Sequence, residues 1–339
     1  MKRVLAILIA AVVFAAIPAF AQKQYKVATT VKLGGEGGWD YLSYDKDAHR
    51  LFITRGSHVM VVDTNTLKVT DDIPDLSGIH GVALSPEFAR GFISNGGDNS
   101  VTIFDLKTLK KLDNVKVGER PDAILYDPFT KRVFTFNARG KDSTVLDAAS
   151  GKVAGTIPLG GKPEFAATDL KGKVFVNIED KDEIAQLDAN KLTVLNRWPL
   201  GSCKEPSALA IDKEHHRLFA GCDNKMMAVV DADSGKVLAT PPIGEGVDAN
   251  AFDETTGLAF ASCGEGVLTV VHEDSPSSFS VVENLKTQRG ARTMTLDPKT
   301  HNVYLVTANY GPAPAPTADQ PHPRPTILPD TFVVLVYGK

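Results

Sequence analysis

Cysteine is scarce: Cys203, Cys222 and Cys263 are the three in a chain of 339 residues. No two of them form a C-x-x-C pair, which excludes a thioredoxin-like motif, and without C-x-x-C-H there is no c-type haem attachment. No P-loop, no G-x-G-x-x-G opening a helix, no G-x-S-x-G and no H-E-x-x-H occurs, so the common nucleotide, serine-hydrolase and zincin signatures are missing. A basic excess is missing as well. Lys plus Arg is 37 against 41 Asp plus Glu, a net charge of −4, and an acidic surface repels phosphate backbones, so no nucleic-acid partner is expected. Hydrophobic residues at 43% and charged residues at 23% exclude wholesale disorder. Beyond the first twenty-odd residues no run is apolar enough to span a bilayer, and no long helical period appears.

The N-terminus is the exception. Lys2 and Arg3 precede an apolar stretch over 4–17, Pro18 breaks it, and Ala19-Phe20-Ala21 fits the A-x-A cleavage rule. This pattern is read as a signal peptide over 1–21, with Gln22 as the mature N-terminus and a net charge of 35 − 41 = −6 afterwards. An uncleaved anchor is the rival reading, because 4–21 is near-apolar; Pro18 and the A-x-A site favour cleavage. A periplasmic or extracellular location is expected, with no membrane span in the mature chain. In that oxidising compartment three cysteines permit one internal disulfide and leave one thiol over.

Short apolar runs bounded by Gly, Pro, Asn and Asp fill the rest, and they repeat. A turn residue recurs at Asp45, Ser85, Asp127, Asp169, Asp212, Asp253 and Asp297, at intervals of 40, 42, 42, 43, 41 and 44. A second landmark, Asp63, Asp105, Asp147, Asp188 and Asp231, keeps intervals of 42, 42, 41 and 43, with His272 in the sixth place. Each unit reads as four strands, in the third unit 123–126, 133–137, 143–146 and 152–158. Four strands in ~40–45 residues make a propeller blade, whose two apolar faces only neighbouring blades can cover. The expected fold is therefore all-β: a single seven-bladed β-propeller over 22–339. The seventh unit lacks a fourth strand, and 26–33 precedes the first unit, so the N-terminal strand is expected to close the ring on the last blade.

Phe92-Ile-Ser-Asn95, Val133-Phe-Thr-Phe-Asn137, Val174-Phe-Val-Asn177 and Tyr304-Leu-Val-Thr307 look like variants of the YVTN motif, and V-x-V/I-x-D-like segments follow at 101–105, 145–147 and 229–231. Over 26–337 the chain resembles the YVTN-type seven-bladed propeller proteins. The resemblance implies an exported or cell-surface propeller, related in shape to lactonases and to quinoprotein or haem-binding propellers. It leaves activity open, since one fold hosts many functions.

The third-strand aspartates are read as turn formers, each carboxylate accepting the backbone N–H groups of its own turn. His49, His215, His216 and His301 fall in the turns between first and second strands, where solvated side chains are the expectation and the adjacent pair His215-His216 is no metal site by itself.

In a propeller the first strands line a central channel, and the resemblance places ligands at its mouth. Segments leading into the first strands bring Asp40, His80, Asp122, Glu164, Asp248 and Arg292 to that face; ends of second strands add Arg55, Asn95, Asn137 and Asn177. Crowded carboxylates raise one another's pKa or recruit a cation, so Asp122, Glu164 and Asp248 are candidate ligands of a divalent metal. The alternative is that they pair with Arg55, Arg292 and loop amides. His80, between glycines in Ser77-Gly-Ile-His-Gly81, is a candidate general base, and a hydrogen-bonded structural histidine is the competing reading. A proline-rich stretch over 309–330 falls on the same face as a lid, a docking segment or an inert insertion. Cys203 enters the fifth blade and Cys222 ends its second strand, both on the mouth face, so they are the expected disulfide, with Cys263 one blade away and free.

The functional expectation is a monomeric exported binding module, taking a small molecule or a protein at the mouth. A metal-assisted lactonase- or lyase-like enzyme using the same mouth is the alternative, and a redox-cofactor-binding propeller is third.

Overall fold

A computed structural model describes residues 24–317, 323 and 325–339. The expected signal peptide lies outside the described residues. Among the described residues, twenty-eight strands form seven four-stranded antiparallel sheets. The blades run β2–β5 (Leu42–Ile73), β6–β9 (Ile79–Lys116), β10–β13 (Pro121–Pro158), β14–β17 (Pro163–Pro199), β18–β21 (Pro206–Ala239) and β22–β25 (Val247–Lys286). The seventh takes β26 (Met294–Leu296), β27 (Val303–Thr307) and β28 (Val333–Gly338), and β1 (Lys26–Lys32) pairs antiparallel to the outside of β28, from Lys26 opposite Gly338 to Lys32 opposite Val333. The N-terminal strand thus closes the ring where the last blade would otherwise show an open edge.

Alternation along each blade explains the ring. Middle strands are buried over most of their length, as in β11 (Arg132–Asn137) with Phe134 and Phe136 at 0% exposure, because both their faces meet neighbouring blades. The apolar side chains divide among the described residues into seven groups, one at each interface between adjacent blades. First strands of adjacent blades pack against each other around the axis, including β2 (Leu42–Asp45) against β26.

The repeated aspartates do turn work. Asp63, Asp105, Asp147 and Asp231 each accept the backbone N–H three residues on, and the Ser or Thr hydroxyl there, at 2.6–2.9 Å. The first-turn aspartates also reach the next blade: Asp127 takes the Thr168 hydroxyl at 2.7 Å and Asp297 the Tyr44 hydroxyl at 3.1 Å. Cys203 and Cys222 form a disulfide within the fifth blade with Cα atoms 5.6 Å apart, and Cys263 is a buried free thiol.

Candidate functional site at the channel mouth

Each mouth residue sits just before or at the start of a first strand, and the preceding blade pins its backbone. The Thr54 hydroxyl donates to the His80 carbonyl at 2.8 Å, Ser94 to that of Asp122 at 2.5 Å and Ser262 to that of Arg292 at 2.5 Å. Side chains on these pinned segments then form a chain of alternating charge across the mouth. His80 Nδ1 lies 2.6 Å from Asp40 Oδ2 and 3.4 Å from Asp122 Oδ1. The other Asp40 oxygen lies 3.8 Å from Arg292, whose Nε donates to Asp248 at 2.5 Å. Glu164 stands apart, paired with Lys162 at 2.8 Å, and Lys162 also meets Glu179.

Burial opposes a charge on His80, but the hydrogen bond to Asp40 and the charge of Asp122 outweigh it and raise the imidazole pKa. Burial raises Asp122, and Asp40 adds to the effect. Burial takes Glu164 up to about 8, with Asp122 contributing, even though Lys162 works against it; that lysine is shared with Glu179, so burial prevails. Asp248 reaches about 6 by burial, with Arg292 opposing.

Asp40, His80 and Asp122 present ligand atoms all within 4.8 Å of one another. Asp122, Glu164 and Asp248 do not form such a triple among the described residues, because Lys162 and Arg292 draw the latter two aside. Arg55, Asn95, Asn137 and Asn177 do not open to the mouth. Arg55 is 1% exposed, donates to the carbonyls of Gly34, Glu36, Gly37 and Gly38, and lies 3.7 Å over the Phe332 ring, so it anchors the segment ahead of the first blade. The three asparagines are buried: Asn95 bonds Ser100 and Thr102 and Asn137 bonds Asp142 and Thr144 inside their own blades, while Asn177 reaches the Ala208 carbonyl of the next blade.

Other functional features escape the repeat pattern. Tyr41 and Phe165 meet edge to face with ring centres 4.4 Å apart, and Phe165 packs against the core groups of blades three–four, four–five and six–seven. Only a side chain crossing the axis can do this, so the two rings plug the channel beneath the charged mouth. Burial, then the charges of Asp122, Glu164, Asp40 and Asp248, push the Tyr41 hydroxyl pKa well up.

Between the second and third blades, a cavity of about 430 Å³ is lined by His80, Asn99, Glu119, Arg120, Arg139 and glycines 78, 96 and 97. A Cβ at Gly96 would stand 2.8 Å from His80 Nε2, so only glycine leaves the imidazole its place. A second cavity of about 290 Å³ shares Arg120 and Arg139 and adds Asp122 and Lys162. Among the described residues the side chains of Arg120 and Arg139 make no hydrogen bond or ion pair; their backbone N–H groups bond Asn99 and Glu119. The Arg120 charge opposes that of His80. Arg120 and Lys162 each stand immediately before the Pro of a first strand, a position the repeat could have flagged.

The proline-rich stretch folds back at its base: Tyr310 bridges Ile327, Gly311 N–H donates to Thr326 and Leu328 N–H to Asn309. With Trp39, Arg289 and Arg292 this base lines a cavity of about 360 Å³ between the sixth, seventh and first blades.

No protein-family model matches the chain, and no curated protein matches it in sequence. Among solved structures, it is similar to a chain of Kuenenia stuttgartiensis hydrazine synthase, with a TM-score of 0.69 and 16% identity over 86% of this chain and 95% of that one. At that identity the likeness speaks for the fold alone. The protein is a seven-bladed β-propeller with four-stranded blades.

Proposed function

We propose that this propeller is an exported, monomeric, YVTN-like binding module whose mouth takes a small anionic ligand, one bearing carboxylate or phosphate groups. The observation that carries the reading is the pair of guanidiniums, Arg120 and Arg139, unpartnered among the described residues and set over adjoining cavities that also hold His80 and Lys162. The two guanidiniums, which line both cavities, repel one another, and an anion between them removes that repulsion while filling their hydrogen bonds bidentately. The carboxylates are already engaged by His80, Arg292 and Lys162, so they orient the cations more than they invite one. The larger cavity, about 430 Å³, falls in the range of small-ligand pockets. Export rests on the N-terminal composition and the YVTN-like motifs.

Thermal-shift measurements on the mature chain with citrate, succinate and inorganic phosphate test it. At least one should raise the melting temperature, and the gain should vanish in Arg120→Ala/Arg139→Ala. No shift with any of the three, or a shift unchanged in the variant, contradicts the reading. Stoichiometric metal released by His80→Ala would favour the metal-assisted alternative.

A further inference from the structure

The blades differ at one buried position. In six blades the residue after the third-strand landmark donates its backbone N–H to the last residue of the first turn; these are Thr64, Leu106, Ala148, Ala189, Ala232 and Glu273. Leu106 and the three alanines are buried and apolar or small, and Thr64 is half-buried. The sixth blade alone places a carboxylate there, with its side chain only 3% exposed. Neither Glu273 oxygen meets a donor at full hydrogen-bond geometry; its polar neighbours are the Asp212 carboxyl and the His215 imidazole. An ionised carboxylate so placed, with only an imidazole at 3.3 Å as counter-charge, is costly to bury.

Glu273 is aimed at the fifth blade, where Asp212, itself 1% exposed, ends β18 (Pro206–Asp212). Asp212 Oδ1 accepts the backbone N–H groups of Glu214 and His215, and its Oδ2 lies 2.7 Å from His215 Nδ1. The same Nδ1 lies 3.3 Å from Glu273 Oε1. Ligand atoms of all three residues are mutually within 4.8 Å, and burial followed by the Asp212 charge takes Glu273 up to about 7. Arg217 is the nearby cation, but it bonds Asp231 and the carbonyls of His216 and Pro276. The His215 side chain is 44% exposed, which leaves a path from solvent and an open coordination position.

We propose that Asp212, His215 and Glu273 form a binding site for a divalent cation of the imidazole-accepting class, with Zn²⁺ as the type ion. Two carboxylates and one imidazole are three protein ligands with room for a fourth, a set that suits zinc-like ions better than Ca²⁺ or Mg²⁺. The site lies at the turns opposite the mouth and does not depend on the ligand proposed there.

Calorimetric titration of chelator-treated mature protein with ZnCl₂ decides it. One equivalent should bind, with Ca²⁺ failing to compete. Glu273→Ala installs the residue three other blades carry, so it should fold normally and bind at least about tenfold more weakly. His215→Ala, at an exposed position, should weaken binding similarly, and His80→Ala should leave it unchanged. Absence of saturable binding at micromolar Zn²⁺ overturns the proposal, as does binding kept in Glu273→Ala and His215→Ala or lost in His80→Ala.

Discussion

Removing the Cys203–Cys222 bridge should lower stability by an amount set by the loop it closes. The two residues are 19 apart in sequence and both fully buried. In the chain-entropy account a loop of this length restricts the unfolded chain by roughly 11 cal/mol/K, or about 3 kcal/mol at 25 °C. A chain of 339 residues has an unfolding entropy on the order of 0.7 kcal/mol/K at its midpoint, so the melting temperature should fall by about 5 °C. Cys203→Ala/Cys222→Ala followed by calorimetry measures this, and the wild type melted in dithiothreitol gives a second estimate. Burial pushes the Cys263 thiol up to about 12, so it should stay inert and not exchange into the bridge. A double variant melting within about 1 °C of wild type would refute the reasoning. So would a non-reducing peptide map with three free thiols or a Cys263 bridge.

Deleting Lys26–Lys32 should leave β28 with an unpaired edge and cause aggregation, seen by light scattering; a monomeric truncation of unchanged stability would contradict ring closure. Gly91→Ala should destabilise by at least about 1–3 kcal/mol, since its Cβ would overlap the buried Phe104 ring, and urea unfolding checks it. Glu164 has a folded pKa of about 8, above its ordinary value near 4.3, so the folded state holds the extra proton and stability falls as pH rises between those values. Glu164→Gln should therefore gain stability relative to wild type from pH 5 to pH 9 in urea titrations, and an equal difference at both pH values would count against a buried, ionising Glu164.

Much of the fold could be read from the chain, because each blade needs the same turn carboxylates and the same alternation. Asp45, Asp127, Asp212 and Asp253 accept their own turn N–H groups or hydroxyls, and so recur at the blade period. The mouth was readable to the extent that Asp40, His80, Asp122, Asp248 and Arg292 occupy equivalent leads into first strands. Convergence was not, since it depends on which neighbour each acid selects: His80 gathers two of them, while Lys162 and Arg292 take the others. The second-strand asparagines misled for a physical reason. An amide at a strand end bonds a neighbouring strand as readily as it greets a ligand; buried Asn95 and Asn137 do so within their blades, and Asn177 does so with the next blade. Tyr41 and Phe165 look like ordinary strand aromatics, and only the closed ring turns them across the axis. Glu273 was visible as a departure from Leu106, Ala148, Ala189 and Ala232, although its partner lies in another blade.

In the proposed site Arg120 and Arg139 hold an anion beside His80. Isothermal titration of the mature chain with citrate at low and high salt tests it most directly. Charge-assisted hydrogen bonds of about 1.5–3 kcal/mol each imply that Arg120→Ala or Arg139→Ala weakens binding at least about tenfold, with wild-type affinity falling as salt rises. Saturable binding that ignores both arginines and salt, or no heat for citrate, succinate or phosphate, would contradict the account.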